Sequence, residues 1–189
     1  YYANKVVKNV DLDIRTNYLQ KNDLMLLDFL ANNNFKRPVY FANPAAIRSV
    51  DFSKYCYLEG SVYRFLPVVS EGADFYKGFG SVNPDISYDI FMNKCKWGNL
   101  ADPKVYVDPE SKRNSMIIKQ NMVRLAHKLV DDNKYDSASK VSDLVQTVFP
   151  NSKMPFDIYM LQFVDVYYRS GDFEKGNKLA NILISNYEQ

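Results

Sequence analysis

The sequence predicts an α+β protein, in which a small α/β N-terminal part with a short sheet precedes an all-α region of helical repeats. Strand-like patterns occur within the first 110 residues, whereas from Ser111 onward apolar residues recur with helical spacing. A turn residue, an aromatic residue and a small residue also follow one another in the same layout around Tyr135 and around Phe173. Such a recurrence is typical of stacked helical hairpins. We therefore expect two parts, residues 1–110 and residues 111–189.

The N-terminal part is predicted to begin with an extended segment and a helix. Residues 1–20 carry loosely alternating apolar side chains, which indicates an extended segment at a sheet edge. Residues 22–34 show a helical pattern that Asn22 or Asp23 can cap. The asparagine run at residues 32–34 is expected to end this helix.

Two strands and a second helix are predicted to follow. Residues 37–42 predict a short buried strand, with Pro38 near its start, where a missing N–H donor is tolerated. Residues 61–67 predict a second strand with alternating faces. Residues 85–96 are ambiguous, and we favour a helix that Trp97 and Gly98 bring to an end.

The helical region is predicted to form two tetratricopeptide-like hairpins. The small residues Ala138 and Gly176 would let neighbouring helices approach closely, as tetratricopeptide repeats require, and Pro150 lies where such a repeat ends. Two repeats are fewer than the roughly three that usually confer independent stability. We therefore expect these hairpins to depend on the N-terminal part.

The composition is that of an ordinary globular chain and excludes several classes of protein. The 189 residues are 47% hydrophobic and 24% charged, with a formal net charge of +2. There is no basic stripe for a nucleic acid, and no apolar run reaches the roughly 20 residues that span a bilayer. Cys56 and Cys95 are expected to be free thiols, and the alternative is a single disulfide in an oxidising compartment. Because His127 is the single histidine, we expect no metal site, and we predict no catalytic residue and no cofactor.

A candidate ligand site comes from polar and aromatic side chains in or beside the predicted strands. Charges in such places cost free energy unless they are paired. One interpretation is a structural network in which Arg37 and Glu59 pair internally, and the other is a polar pocket for a sugar or a peptide. The candidate ligand-binding residues are Arg37, Tyr40, Glu59, Tyr63, Arg64, Lys94, Trp97 and Asn99.

Two weaker candidates are interpreted structurally. His127 has no nucleophile or carboxylate at local spacing, so we expect a partly exposed residue on a repeat helix. Asp85 and Asp89 would share one helical face, as paired acid–base carboxylates can. We interpret them as a solvated face or as a helix cap.

Four sequence blocks together resemble a known family. The blocks are Asn22-Asp-Leu-Met-Leu-Leu-Asp28, Asn33-Asn-Phe-Lys-Arg-Pro-Val-Tyr-Phe-Ala42, Leu58-Glu-Gly-Ser-Val-Tyr-Arg64 and Met92-Asn-Lys-Cys-Lys-Trp-Gly-Asn99. The family is the Bacteroidetes-type group of multi-spanning membrane proteins of unknown function that is similar to protein O-mannosyltransferases. From about residue 20 onward, the chain resembles the C-terminal soluble region of that group.

The resemblance implies an extracytoplasmic domain of a glycosyltransferase that uses lipid-linked sugars. It carries over no catalytic residue, because in such families the catalytic carboxylates belong to loops between membrane helices that this chain lacks. Since the chain begins with Tyr1 rather than Met, we expect it to be part of a longer protein that spans the membrane.

These observations favour a non-catalytic accessory or protein-interaction domain at the periplasmic face of the inner membrane. A protein or peptide would bind the repeat face, and a glycan is a further candidate partner. The alternative is a module that binds a small ligand, either a sugar or a peptide, in the polar pocket. An independent hydrolase ranks last, since it would need a nucleophile–base pair.

Overall fold

The computed structural model describes residues 5–43, 47, 49–70, 78–102 and 104–188. The chain divides into two compact units, Tyr1–Asn83 and Pro84–Gln189, which we call unit 1 and unit 2. Among the described residues, unit 1 holds small sheets, one α-helix and a 3-10 turn over Ser53–Tyr55, and unit 2 holds packed helices, so the fold is α+β as predicted. A functional boundary at residue 110 stays a prediction.

Unit 1 contains two small sheets. The larger has the strand order β2-β5-β4-β6, in which β5 pairs antiparallel with β2 and β4, and β4 pairs parallel with β6. The smaller sheet pairs β1 with β3. The strands are β1 (Asp13–Ile14), β2 (Val39–Phe41), β3 (Val50–Asp51), β4 (Cys56–Glu59), β5 (Val62–Phe65) and β6 (Ser81–Val82).

The core of unit 1 is aromatic and lies on one face of the larger sheet. Phe65 is its centre, with the rings of Phe41, Phe52 and Tyr55 at centroid distances of 6.2, 6.0 and 6.3 Å. All three approach it edge-on, which is the arrangement that the ring quadrupoles favour. The predicted buried strand is only half buried, because side chains alternate between its faces and Tyr40 faces away from this core.

Helix α1 (Lys21–Asn33) matches its predicted range but is capped differently. The N-cap is Gln20, whose backbone N–H donates to the carboxylate of Asp23 at 2.9 Å. Asp23 is therefore the third helical residue in a reciprocal capping box, not the cap itself. Asn34 ends the helix in the left-handed conformation with φ of 42°, so the predicted asparagine stop is confirmed.

Unit 2 begins with α2 (Pro84–Asp89), which continues as a π-helical turn over Ile90–Lys94. Four further helices follow. From Ser111 onward no strand occurs among the described residues, as the periodicity predicts. They are α3 (Pro109–Asp131), α4 (Tyr135–Val148), α5 (Leu161–Arg169, preceded by a 3-10 turn over Ile158–Met160) and α6 (Phe173–Tyr187).

Neighbouring helices of unit 2 pack on one another, and small residues lie where they meet. Helix α3 contacts α4 and α5, and α5 contacts α6. Ala138 on α4 is fully buried. On α6, a Cβ added to Gly176 would lie 3.3 Å from the ring of Tyr168 and 3.4 Å from Cβ of Tyr167. The absence of a side chain at Gly176 thus allows α5 and α6 to approach closely.

Candidate functional site

Three of the predicted site residues come together on the face of the larger sheet that lies opposite the aromatic core. The strand register places Arg64 between Tyr40 of β2 and Tyr57 of β4. Glu59 lies two residues beyond Tyr57 and so projects from the same face. We call Tyr40, Glu59 and Arg64 the sheet-face cluster.

The charges of the sheet-face cluster are partly compensated. Arg64 Nη1 lies 3.7 Å from Glu59 Oε1, and Asn83 Nδ2 donates to the same oxygen at 3.4 Å. Glu59 is only 4% exposed, so this pairing offsets part of the cost of burying its carboxylate. The guanidinium of Arg64 also lies 5.9 Å from the centroid of the Tyr40 ring.

One polar atom of the sheet-face cluster is not compensated. Among the residues that the structure describes, the buried Nε of Arg64 has no hydrogen-bond partner. Buried donors of this kind are rare in folded proteins, and each marks either stored strain or a place for a missing partner. Beside it, the Tyr40 ring is exposed.

Arg37 and Tyr63 do not join the sheet-face cluster. Glu59 pairs with Arg64, whereas Arg37 is exposed and exchanges two hydrogen bonds with the Asn33 side chain through its backbone N–H and C=O, at 3.2 and 2.8 Å. Tyr63 projects from the opposite face of β5, where its ring meets Phe79 edge-on at 5.6 Å. In the interpretation of an internal network, Arg64 thus takes the place of Arg37 as the partner of Glu59, because strand register, not sequence proximity, selects it.

The remaining three candidates belong to unit 2. Lys94 forms an ion pair with Asp89 at 2.5 Å at the surface. Trp97 stacks on Phe91 at a centroid distance of 6.3 Å and meets Phe149 edge-on at 5.9 Å, so its ring has a packing role. Asn99 is exposed and adopts φ of 61°, in the loop that follows the π-helical turn.

His127 is buried, which contradicts the partly exposed position that we expected. It is 1% exposed, because α3 is covered by both α4 and α5. Its Nδ1 lies 3.5 Å from Nη1 of Arg169 and 3.8 Å from the Asp165 carboxylate, and Arg169 in turn binds Asp131 at 2.6 Å. Burial and the neighbouring guanidinium lower the pKa of His127 to about 3, so the ring is neutral at ordinary pH.

Asp85 and Asp89 lie at the surface of unit 2, and each has a lysine partner. Asp85 pairs with Lys134 at 2.7 Å, and Asp89 pairs with Lys94. Hydrogen bonds from Lys94 and Asn93 hold the pKa of Asp89 below its ordinary value. Each carboxylate is thus engaged by a lysine at the surface, as expected of a solvated face and not of an acid–base pair.

Sequence reasoning missed the almost fully buried Lys119 on α3. Its ammonium group lies 5.6 Å from the centroid of the Phe149 ring, and desolvation lowers its pKa, while Asp157 opposes that shift. A signal was present, since Lys119 is four residues after Ser115 and three before Met122, and both are buried.

Both cysteines are free thiols. Burial raises the pKa of Cys56 to about 12 and also raises that of Cys95, so neither resembles an activated nucleophile. Within the described ranges, no group of three or more His, Cys, Asp or Glu residues could hold a metal ion. In the same part of the chain, every helix is too short or too polar to cross a membrane.

Residues 1–86 match the model of a family described as TMEM260-associated domain 2. The matched stretch spans the whole of unit 1 and the first residues of α2. It includes three of the four blocks that carry the resemblance, and the likeness of the remaining residues stays a prediction. No curated protein and no solved structure matches the chain.

Proposed function

We propose that this chain is a non-catalytic accessory domain of a membrane glycosyltransferase-like protein, exposed at the periplasmic face of the inner membrane. The observation that carries the proposal is the match of residues 1–86 to a TMEM260-associated domain, because TMEM260 relates to membrane O-mannosyltransferase-like proteins. A domain associated with such a membrane protein has a natural role in holding acceptor proteins or partner subunits near the catalytic site.

The helices of unit 2 would supply the interaction surface, as tetratricopeptide-like hairpins. Phe173 lies in the first turn of α6, is 61% exposed, and has the Tyr168 ring at 6.0 Å. Tyr135 occupies the equivalent first position of α4 and is also exposed. Exposed aromatic side chains are enriched where proteins bind one another, which favours a protein or peptide partner on this face.

The side chains that could have served chemistry are engaged in structural contacts, which favours a non-catalytic role. His127 is enclosed between helices beside Arg169 and Asp165, and Glu59 is paired with Arg64. An independent hydrolase would need a nucleophile next to a base, so this candidate remains last.

The proposed interaction surface can be tested in membranes that contain the full-length parent protein. We expect Phe173→Asp to reduce glycosyl transfer to an acceptor protein by about fivefold or more, since truncated interface aromatics commonly cost over 1 kcal/mol. The matched control is Tyr106→Asp, at a more exposed aromatic of the same unit, which should leave transfer unchanged. Equal transfer by both variants and the wild type would count against the surface.

A second candidate function is the binding of a sugar or a peptide at the sheet-face cluster. It is favoured by the buried Arg64 Nε, which has no hydrogen-bond partner within the described part of the chain, beside the exposed ring of Tyr40, since sugars bind through both donors and aromatic faces. Titration calorimetry with a panel of monosaccharides and short peptides would test it. Binding that Arg64→Met abolishes and Lys36→Met preserves would support this function, and an absence of heat from the whole panel would exclude it for those ligands.

A further inference from the structure

Unit 1 contains a cavity of about 710 Å³ between its N-terminal segment and α1. The first wall is the extended chain from Val6 to Leu12, and the second is the side of α1 that carries Leu27, Leu30 and Ala31. Phe65, the centre of the aromatic core, forms its floor together with Pro67. The volume falls within the range of roughly 300–1,000 Å³ that is typical of small-molecule sites.

The wall that the N-terminal segment forms is fixed to the rest of unit 1 at several points. The Val7 N–H donates to the Pro67 carbonyl at 2.8 Å, and Val6 forms an isolated bridge with Val68. Further along, the Asp11 N–H donates to the Tyr55 hydroxyl at 3.0 Å. The segment is thus held against Tyr55 and against the residues that follow β5, which keeps this wall of the cavity in place.

The lining of the cavity changes from apolar to polar. Its floor and most of both walls are aliphatic or aromatic: Phe65 is buried and Val7, Val10, Leu12, Leu27, Leu30 and Pro67 are partly buried, whereas Val6, Ala31 and Phe35 are exposed at the edge. The polar lining residues Lys8, Asn9 and Asn34 are all exposed, so they lie at the mouth. Lys8 is the charged residue among those that line the cavity.

The backbone at the end of α1 is strained in a way that shapes this cavity. Asn34 and Phe35 both adopt left-handed conformations, with φ of 42° and 57°. This conformation costs an aromatic residue roughly 1 kcal/mol or more, and such strain is often found at functional sites. Here it places the Phe35 ring in a stack on Phe65 at 5.5 Å, and both rings line the cavity.

We propose that this cavity binds a single-chain amphiphile, with its alkyl chain against the apolar lining and its anionic head group at Lys8. An alkyl chain fits because it gains free energy from burial and needs no hydrogen bonds from the walls. A sugar would need many polar partners, whereas most of the side chains that line this cavity are apolar. The ammonium group of Lys8 at the mouth of the cavity can form an ion pair with one anionic head group. This site is separate from the proposed interaction surface, so each can fail without the other.

Titration of the chain with the fluorescent carboxylate cis-parinarate, followed by displacement with hexadecanoate, tests the proposal. We expect saturable binding with one molecule per chain. Ala31→Trp, which fills the cavity from α1, should weaken binding about tenfold or more. The matched control is Met25→Trp on the exposed side of the same helix, where Met25 is 63% exposed, and it should bind as the wild type does.

A separate variant tests the role of the positive charge of Lys8 at the mouth of the cavity. Lys8→Glu should weaken hexadecanoate several-fold and leave displacement by the uncharged hexadecanol unchanged, since only the head group meets Lys8. Val10→Trp fills the cavity from the opposite wall, and a thermal melt of each variant shows that it is folded. If Ala31→Trp fails to fold, Val10→Trp decides in its place.

Three results would overturn the proposal. The first is the absence of saturable binding to the wild type. The second is equal binding by the folded cavity-filling variants and the wild type. The third is binding to anionic vesicles without binding of the monomeric carboxylate, because the chain would then recognise a bilayer surface and not a ligand in the cavity.

Discussion

His127 shows how burial and a neighbouring charge together determine the protonation of a side chain in this protein. Its imidazole is enclosed where α3 meets α5, with Arg169 and Asp165 facing it from α5 and Asp131 near by on its own helix. The positive guanidinium and the loss of water both disfavour the imidazolium form, which lowers the pKa from the ordinary 6.5 to about 3. The folded state is therefore adapted to a neutral histidine.

This environment predicts a loss of stability in mild acid. Between about pH 6.5 and pH 3 the unfolded chain binds a proton at His127 and the folded chain does not. Acidification through this window therefore favours unfolding, by up to roughly 1.4 kcal/mol per pH unit. Urea unfolding at several pH values should show this slope, and His127→Gln, which does not titrate, should remove it. Equal slopes for the two proteins would contradict the neutral, buried assignment.

At the scale of single elements, helix α1 depends on the capping box at its first turn as well as on its packing. Among the described side chains of this helix, Asp23 is the buried one, while Leu24, Met25 and Phe29 are exposed. Its apolar contribution comes from Leu26, Leu27 and Leu30, which are partly buried and pack against the core of unit 1. Its first turn relies on the reciprocal bonds between Gln20 and Asp23.

Removing half of this capping box should therefore destabilise the protein. We expect Asp23→Ala to lower the free energy of unfolding by about 1 kcal/mol or more, since the Gln20 N–H loses its acceptor. Asp28→Ala, at an exposed position later in the same helix, is the matched control and should change it by about 0.5 kcal/mol or less. Chemical denaturation measures both, and equal effects would show that the cap is unimportant.

The close contact between α5 and α6 leads to a second prediction about the stability of the protein. Gly176→Leu would place a side chain against Tyr167 and Tyr168, where even a Cβ lies within 3.4 Å. Overpacking of this kind typically costs about 1–3 kcal/mol. Ile184→Leu, on an exposed face of the same helix, should be nearly neutral. The two denaturation midpoints test this, and a Gly176 variant as stable as the wild type would mean that the helices can separate at little cost.

The helices could be located from the sequence, whereas several strands could not. Apolar spacing that recurs over several helical turns is a stronger signal than the alternation within a strand of two residues. The apolar spacing of α3 and α4 recurs over several turns, so their positions follow from the residues. By contrast, β3 and β6 contain two residues each, which is too few for any alternation. Such strands form because their neighbours pair with them.

The sequence predicts that the buried charge in the candidate site is paired, but it does not predict which residue is its partner. The idea that a buried Glu59 must be paired followed from the cost of burying a charge, and the structure agrees. The choice of Arg64 over Arg37 depends on which residues lie opposite one another in β4 and β5. That register is set by the whole sheet, so the local sequence does not contain it.

At the scale of the whole molecule, the two compact units divide the chain at Asn83, earlier than the change in sequence pattern near residue 110. Residues 84–102 contribute contacts to the helices of unit 2. Trp97 packs on Phe149, Asp85 pairs with Lys134, and the Lys153 ammonium donates to the carbonyls of Leu100 and Asp102 at 3.0 and 2.6 Å.

We therefore expect residues 84–189 to fold more stably than residues 111–189 when each is produced alone. The longer piece should unfold cooperatively, with its circular dichroism and Trp97 fluorescence changing together. The shorter piece lacks the aromatic and ionic contacts of residues 84–102 and should melt at a lower temperature. Identical melting temperatures would place the boundary near residue 110 instead.

The central claim is that the chain assists glycosyl transfer without performing it. The most direct measurement is glycosyl transfer from a lipid-linked donor by the purified chain alone, by membranes with the full-length parent, and by membranes with a parent that lacks these residues. We predict no transfer by the chain alone, and we predict that the shortened parent loses transfer to acceptor proteins while it retains hydrolysis of the donor. Transfer by the purified chain alone would contradict the account.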